Sequence, residues 1–236
     1  MRLGASWPGA RPTKMDTGRE EHGARAERTG LVLCGGQSRR MGRDKALIEV
    51  DGRRLLEHAL GALEPVCSAL LLACGPTPRY GELGIPLVLD AQADRGPLSG
   101  LCAGLEAART EWVIAVGCDM PELSPQVLEE LARHAQEGAW DVTMLGTDKG
   151  SEPLCAVYRR TCLPAVRAAL AQGATRLTAF HDGPGASSGE PRPRVSVLSS
   201  DHFPPALRAR ARHAARNLNT PSDLEALGAE RSARAS

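Results

Sequence analysis

Short apolar runs alternate with stretches of helical periodicity along most of the chain. The runs predict strands over Gly30–Leu33, Ala69–Ala73, Pro86–Leu89, Trp112–Val116, Asp141–Leu145, Leu154–Tyr158 and Val195–Leu198. Between the first two, Leu55, Leu56, Ala59, Leu60 and Leu63 share one face of a helix predicted over Arg54–Leu63. Further helices are expected over Ser99–Ala108, Pro125–Gln136 and Cys162–Gln172. Ser124 then serves as an N-cap with proline at the first helical position, while Gly138 and Gly173 close two of these helices. Such alternation predicts an α/β fold, a doubly wound and mostly parallel sheet with helices on both faces. Ligands of such sheets bind beyond the carboxyl ends of the strands, at the point where the winding reverses.

The chain has 236 residues, 42% of them hydrophobic, which is enough for one sizeable core. Residues 1–28 are rich in Gly, Pro, Arg and Glu without an apolar period, so they are expected to form a disordered tail that includes an alternative start at Met15. A single domain is expected over 29–227, with a second unstructured tail over 228–236. Asp182–Arg194 reads as a loop. A net charge of +1 gives no broad basic field for nucleic acid or an anionic membrane. No apolar stretch is long enough to span a bilayer, and the first residues lack the apolar segment of a secretory signal. The seven cysteines form no C-x-x-C pair, which fits reduced, buried thiols and a cytoplasmic setting.

The chemistry concentrates in Leu33-Cys34-Gly35-Gly36-Gln37-Ser38-Arg39-Arg40-Met41-Gly42-Arg43-Asp44-Lys45, just after the first strand. Adjacent glycines let backbone N–H groups approach a polyanion closely, and the basic residues beyond them suit phosphates. The lysine does not directly follow a glycine, so this is no Walker A loop, and the glycine spacing fails the dinucleotide fingerprint. A second element, Gly117-Cys118-Asp119-Met120-Pro121, puts a carboxylate at the end of a buried strand; its plain structural reading is a cap. Asp90 ends another strand and is followed by the turn Gly96-Pro97-Leu98-Ser99-Gly100. Near the end, Asn217-Leu218-Asn219-Thr220-Pro221 leads into a capping box formed by Thr220 and Asp223, which explains the threonine but neither asparagine.

The first of these segments resembles the signature L-x-G-G-x-S-x-R-M-G-x-D-K of the molybdenum cofactor guanylyltransferases, nucleotidyltransferases with a Rossmann-like sheet of the nucleotide-diphospho-sugar transferase type. The strand-end aspartate, the G-P-L-x-G turn, Glu152-Pro153-Leu154 with Ala156, Tyr158 and Arg159, the turn Gly173–Leu177 and the closing N-x-N-T-P extend the resemblance over most of Gly30–Leu227. The match departs in the long loop Asp182–Arg194 and in the arginine-rich segment Pro204–Arg216. Arg208, Arg210, Arg212 and Arg216 there read either as contacts for a pterin phosphate or as a solvated helix face.

The resemblance implies transfer of GMP from GTP to molybdopterin, with pyrophosphate leaving. It implies that Arg40, Lys45 and Asp119 are catalytic. Nucleotide contacts would come from Leu33, Cys34, Gly35, Gly36, Lys45, Asp90, Asp119, Asn217 and Asn219. Asp119 would hold Mg²⁺, a hard cation that needs one or two carboxylates plus phosphates and water. Molybdoenzymes or their chaperones are the implied recipients. Three other readings stay open: a CTP-dependent enzyme of the same fold, a sugar-1-phosphate nucleotidyltransferase, and an idle nucleotide- or pterin-binding carrier. The Leu-Cys-Gly-Gly start and Asp44 before Lys45 resemble the GTP-dependent type.

Overall fold

A computed structural model describes residues 27–35, 44–90, 96–182 and 192–235. The predicted N-terminal tail, except Glu27 and Arg28, and most of the predicted loop Asp182–Arg194 lie outside the described residues. The chain begins with β1 (Arg28–Leu33), the short hairpin β2 (Glu49–Val50) and β3 (Arg53–Arg54), α1 (Leu55–Leu63) and β4 (Ala69–Ala73). It continues through β5 (Leu87–Val88), α2 (Pro97–Ala107), β6 (Trp112–Gly117) and α3 (Pro125–Glu137). The hairpin β7 (Val142–Thr147) and β8 (Gly150–Arg159) follows, then α4 (Leu163–Ala171) and α5 (Ala179–Asp182). Last come β9 (Val195–Leu198), α6 (Pro205–Ala214) and α7 (Pro221–Ala235).

Seven of these strands form one sheet in the order β5-β4-β1-β6-β8-β7-β9. Every pairing is parallel except those of β8, which runs antiparallel to both β6 and β7. The reversal follows from the chain: the four-residue span Thr147–Gly150 is long enough for a hairpin and too short for a crossover. From β1 the chain winds outward to β4 and β5, then returns to β1's other side as β6. That return makes the crevice above the ends of β1 and β6 the switch point.

Alternation along the strands divides the core. Val32, Ile114 and Val116 face α1, α3 and α6, whereas Leu31, Leu33, Val113 and Ala115 face α2 and α4. A sheet buried on both faces explains why β1 and β6 read as continuous apolar runs. Gly104 of α2 lies where a Cβ would come within 2.2 Å of the Leu31 side chain, so glycine sets how closely that helix approaches the sheet.

Among the boundaries that differ from expectation, three have a clear cause. β1 starts at Arg28, which is buried and paired with Glu129 at 2.7 Å, rather than in a tail. α2 starts at Pro97 with Gly96 as its N-cap, two residues earlier than the apolar pattern suggests, because the proline sits at the first helical turn. α7 continues to Ala235, past the expected end near Gly228. Leu227 is buried with Ile48, Leu55 and Leu218, and extending an anchored helix needs no new nucleation.

Candidate functional site

Beyond β1 the chain enters the crevice with its backbone partly committed. The Leu33 carbonyl accepts from Cys118 N–H at 3.3 Å, and Cys34 N–H donates to the Ala73 carbonyl at 2.9 Å. These bonds tie the end of β1 to both neighbouring strands. At Gly35 a Cβ would stand 2.9 Å from the Gly75 amide nitrogen, so only glycine allows the two backbones this close. Gly36 and Arg40 lie outside the described residues.

The chain returns at Asp44 and Lys45. Lys45 Nζ donates to Asp119 Oδ2 at 2.6 Å and to Asn219 Oδ1 at 2.8 Å. Three candidates from distant parts of the sequence thus meet at one ammonium group. The pair is largely shielded, with side-chain exposures of 15% for Lys45 and 17% for Asp119, so water screens it little. Lys45 is thus not the exposed side chain that a lysine in a glycine-rich turn usually is, and the plain reading of Asp119 as a cap is incorrect, since its carboxylate takes the lysine. Gly117 serves the same carboxylate: a Cβ there would come within 2.7 Å of Asp119 Oδ1.

The closing motif is held in place from two sides. Leu218 N–H donates to the Asp119 carbonyl at 2.9 Å, and Asn217 Nδ2 donates to Glu152 Oε2 at 3.0 Å. Glu152 comes into reach where the β7–β8 register shifts between Met144 and Leu145, beside Pro153, which has no N–H for the ladder. Burial raises the Glu152 carboxyl above the ordinary range. Thr220 and Asp223 form the expected capping box, with Asp223 Oδ2 accepting from the Asn219 and Thr220 amides at 2.7 Å each.

On the other side of β1, Asp90 follows β5. Its Oδ1 is buried without a hydrogen-bond partner among the described residues, and burial raises its carboxyl above the ordinary range. A desolvated acceptor of this kind has room for a donor, whether from water or from a ligand. Asp90 Oδ1 faces Gly100 of α2, where a Cβ would stand 3.7 Å away. Gly96 adopts φ 69°, and Leu98 N–H reaches the Thr175 carbonyl at 3.3 Å. The two turns Gly96–Gly100 and Gly173–Leu177 therefore meet.

Sequence reasoning missed Arg79 and Tyr80, which follow β4 and bond to Asp44. The only signal was a basic and an aromatic residue after the turn Gly75–Pro78, which is common on protein surfaces. The arginines of α6 bond locally: Arg208 to the Phe203 carbonyl, Arg210 to Gln126, Arg212 to Ser200, and Arg216, just beyond the helix, to Glu230. All seven cysteines are buried free thiols. Burial pushes Cys67, Cys118 and Cys162 up to about 12, so these thiols stay protonated and unreactive at neutral pH.

Asp119 suits Mg²⁺ by donor chemistry. Oδ2 takes the lysine, Oδ1 accepts no hydrogen bond among the described residues, and both are hard oxygens at a strand end. Among the described residues no cluster of three or more His, Cys, Asp or Glu side chains forms a closed metal cage. A single carboxylate is what magnesium uses when phosphates and water fill its other positions. No helix among the described residues is long and apolar enough to cross a membrane.

The family described as the MobA-like NTP transferase domain matches residues 30–185. A molybdenum cofactor guanylyltransferase of Serratia proteamaculans is 36% identical over 163 residues, covering 68% of this chain and 82% of that protein. A probable molybdenum cofactor guanylyltransferase of Carboxydothermus hydrogenoformans is 31% identical over 199 residues, covering 84% and 94%. Among solved structures, molybdopterin-guanine dinucleotide biosynthesis protein A from Archaeoglobus fulgidus superposes with a TM-score of 0.69 at 23% identity, covering 86% of this chain and 98% of the other. A CMP:2-keto-3-deoxy-manno-octonic acid synthetase complexed with CTP superposes with a TM-score of 0.64 at 12% identity, covering 89% and 100%. These two structures bear on the fold alone.

Proposed function

Because the chain belongs to the MobA-like NTP transferase family, we propose that it transfers GMP from GTP to molybdopterin and releases pyrophosphate. The observation that carries this reading is the meeting of Lys45, Asp119 and Asn219 above the switch point of the sheet. A carrier that only bound nucleotide would not need a shielded lysine paired with a strand-end carboxylate.

GTP would enter the crevice with its base toward Asp90 and its phosphates toward Lys45. Guanine presents two adjacent N–H donors, N1–H and N2–H, and the unpartnered Asp90 Oδ1 offers a buried acceptor for that edge. Lys45 would leave Asp119 for the triphosphate, exchanging one anionic partner for another and keeping its charge compensated. There it would stabilise charge growing on the transferring and leaving phosphates, with Arg40 as the second cation assigned by the motif. Asp119 would hold Mg²⁺, which when bound polarises the α-phosphate and screens the charge of the triphosphate. Asn217 and Asn219 would line the side of the crevice opposite Asp90.

The attacking group is the terminal phosphate of molybdopterin, already ionised near pH 7, so the protein needs no general base. An oxygen of that phosphate bonds to the α-phosphorus of GTP as the bond to the bridging oxygen of pyrophosphate breaks. Positioning and charge neutralisation are then the protein's whole contribution. A cytoplasmic location and delivery to molybdoenzymes or their chaperones complete the proposal. The experiment is pyrophosphate release measured with GTP and with CTP, each with and without molybdopterin. Pterin-dependent release from GTP supports the reading. Equal rates with CTP refute the base assignment, and no release from either nucleotide refutes transfer.

A further inference from the structure

Asp44 precedes Lys45 in the signature, yet its carboxylate does not open toward the crevice. Tyr80 O–H lies 2.9 and 2.7 Å from its two oxygens, Arg79 Nη1 donates from 3.2 Å, and Ala46 N–H donates from 3.1 Å. Those bonds engage both oxygens, so no ligand needs to be invoked to explain the aspartate.

The other arm of the guanidinium reaches elsewhere. Arg79 Nη2 donates to the Cys34 carbonyl at 3.0 Å and to the Cys74 carbonyl at 3.1 Å. Cys34 directly follows β1 and Cys74 directly follows β4. One planar side chain thus joins the ends of two adjacent strands to the residue next to Lys45. A lysine in its place has a single ammonium and cannot span these acceptors in fixed geometry.

Tyr80 shows the same over-determination. It is only 6% exposed, and its backbone sits in the left-handed region at φ 65°. A bulky residue stays there when its surroundings hold it, and such conformations cluster at functional sites. The Arg79 guanidinium lies 5.2 Å from the centre of the Tyr80 ring, which braces the ring from one face.

We propose that Arg79 and Tyr80 are positioning residues for nucleotidyl transfer, holding Asp44 and through it setting where the Lys45 ammonium meets the triphosphate. The inference rests on the assignment of Lys45 to the phosphates. Neither residue touches substrate in this account; each acts through Asp44.

The test is a set of double-mutant cycles. Tyr80→Phe, Arg79→Ala and Arg79→Lys are each made in the wild type and in Lys45→Ala, with GTP affinity, kcat and KM as readouts. In the wild type, Tyr80→Phe should lower kcat about tenfold, because a slightly misplaced cation costs less than a missing one. The KM for molybdopterin should change by less than about twofold, and in the Lys45→Ala background Tyr80→Phe should change kcat by less than about twofold. Arg79→Lys should recover part of the loss seen with Arg79→Ala. A merely structural role would reduce folded protein, leaving kcat per folded molecule unchanged or lowering it by the same factor in both backgrounds. Either result overturns the proposal. If Arg79→Ala does not fold, Tyr80→Phe, which deletes one hydroxyl, decides alone. If the wild type releases no pyrophosphate, the proposed reaction fails, and the same cycles read from GTP affinity still decide the positioning role. Equal losses of affinity in both backgrounds would then overturn it.

Discussion

Lys45 and Asp119 lie 74 residues apart in sequence and 2.6 Å apart in space, the first on the return from the glycine motif and the second just beyond β6. Each is the other's charge partner before nucleotide arrives. Binding of a triphosphate with its metal ion would replace that pair by two new ones, so neither Lys45 nor Asp119 would lose its charge compensation.

For Lys45→Ala we expect a loss of turnover on the order of 10²–10³-fold, about 3–4 kcal/mol, the usual cost of deleting one transition-state charge stabiliser. The chain should still fold. Steady-state pyrophosphate release measures the first, and thermal melting the second. A wild-type rate would remove Lys45 from the phosphates.

Asp119→Asn should lower activity by orders of magnitude and uncouple nucleotide from metal. With EDTA present, wild type and variant should bind GTP with similar affinity; with Mg²⁺ added, binding should tighten only in the wild type. The sequence alone suggests little change in stability or a gain, because the aspartate has no visible partner. Its bond to the shielded Lys45 reverses that expectation: Tm should fall by roughly 2–4 °C, the shift given by about 1 kcal/mol in a chain of this size. Equal tightening by Mg²⁺ in both proteins would move the metal ligand elsewhere.

Asp90→Asn separates stability from function through pH. Burial raises the Asp90 carboxyl in the folded state, so the native protein holds this proton more tightly than the unfolded chain does. Its stabilising contribution is complete below the unfolded value and is lost as pH rises through the raised native value. At neutral pH the desolvated charge therefore lowers stability. The variant should melt higher than wild type at pH 7, and the difference should vanish below about pH 4, the ordinary carboxylate range. GTP affinity should fall at the same time. A Tm gain that does not change with pH would show that charge is not its cause.

Base choice is the fourth expectation: kcat/KM for GTP should exceed that for CTP at least tenfold, which needs only about 1.4 kcal/mol. The acceptor proposed for guanine's N–H edge is Asp90. Asp44, though it marks the GTP-dependent type in sequence, has both oxygens engaged by Tyr80, Arg79 and the Ala46 amide. Parallel assays of wild type and Asp90→Asn decide this, since the variant should lose most of its preference.

The sequence by itself determined the seven sheet strands, the main helices and the family, because apolar periodicity and short motifs are local properties of a chain. It also named Lys45, Asp119 and Asn219 separately. Only the tertiary structure decided that they meet, since their bonds span 74 and 174 residues and depend on which strand ends lie side by side. The antiparallel course of β8 was equally hidden: its apolar run starts only at Leu154, and the tight hairpin shows once the strand is seen to begin at Gly150. The roles of Arg79 and Tyr80 were invisible for the same reason, as their partners belong to neighbouring strands and to the far end of the glycine motif. Burial separates Asp90 from an ordinary turn residue, and burial is a property of the assembled core, not of the carboxylate.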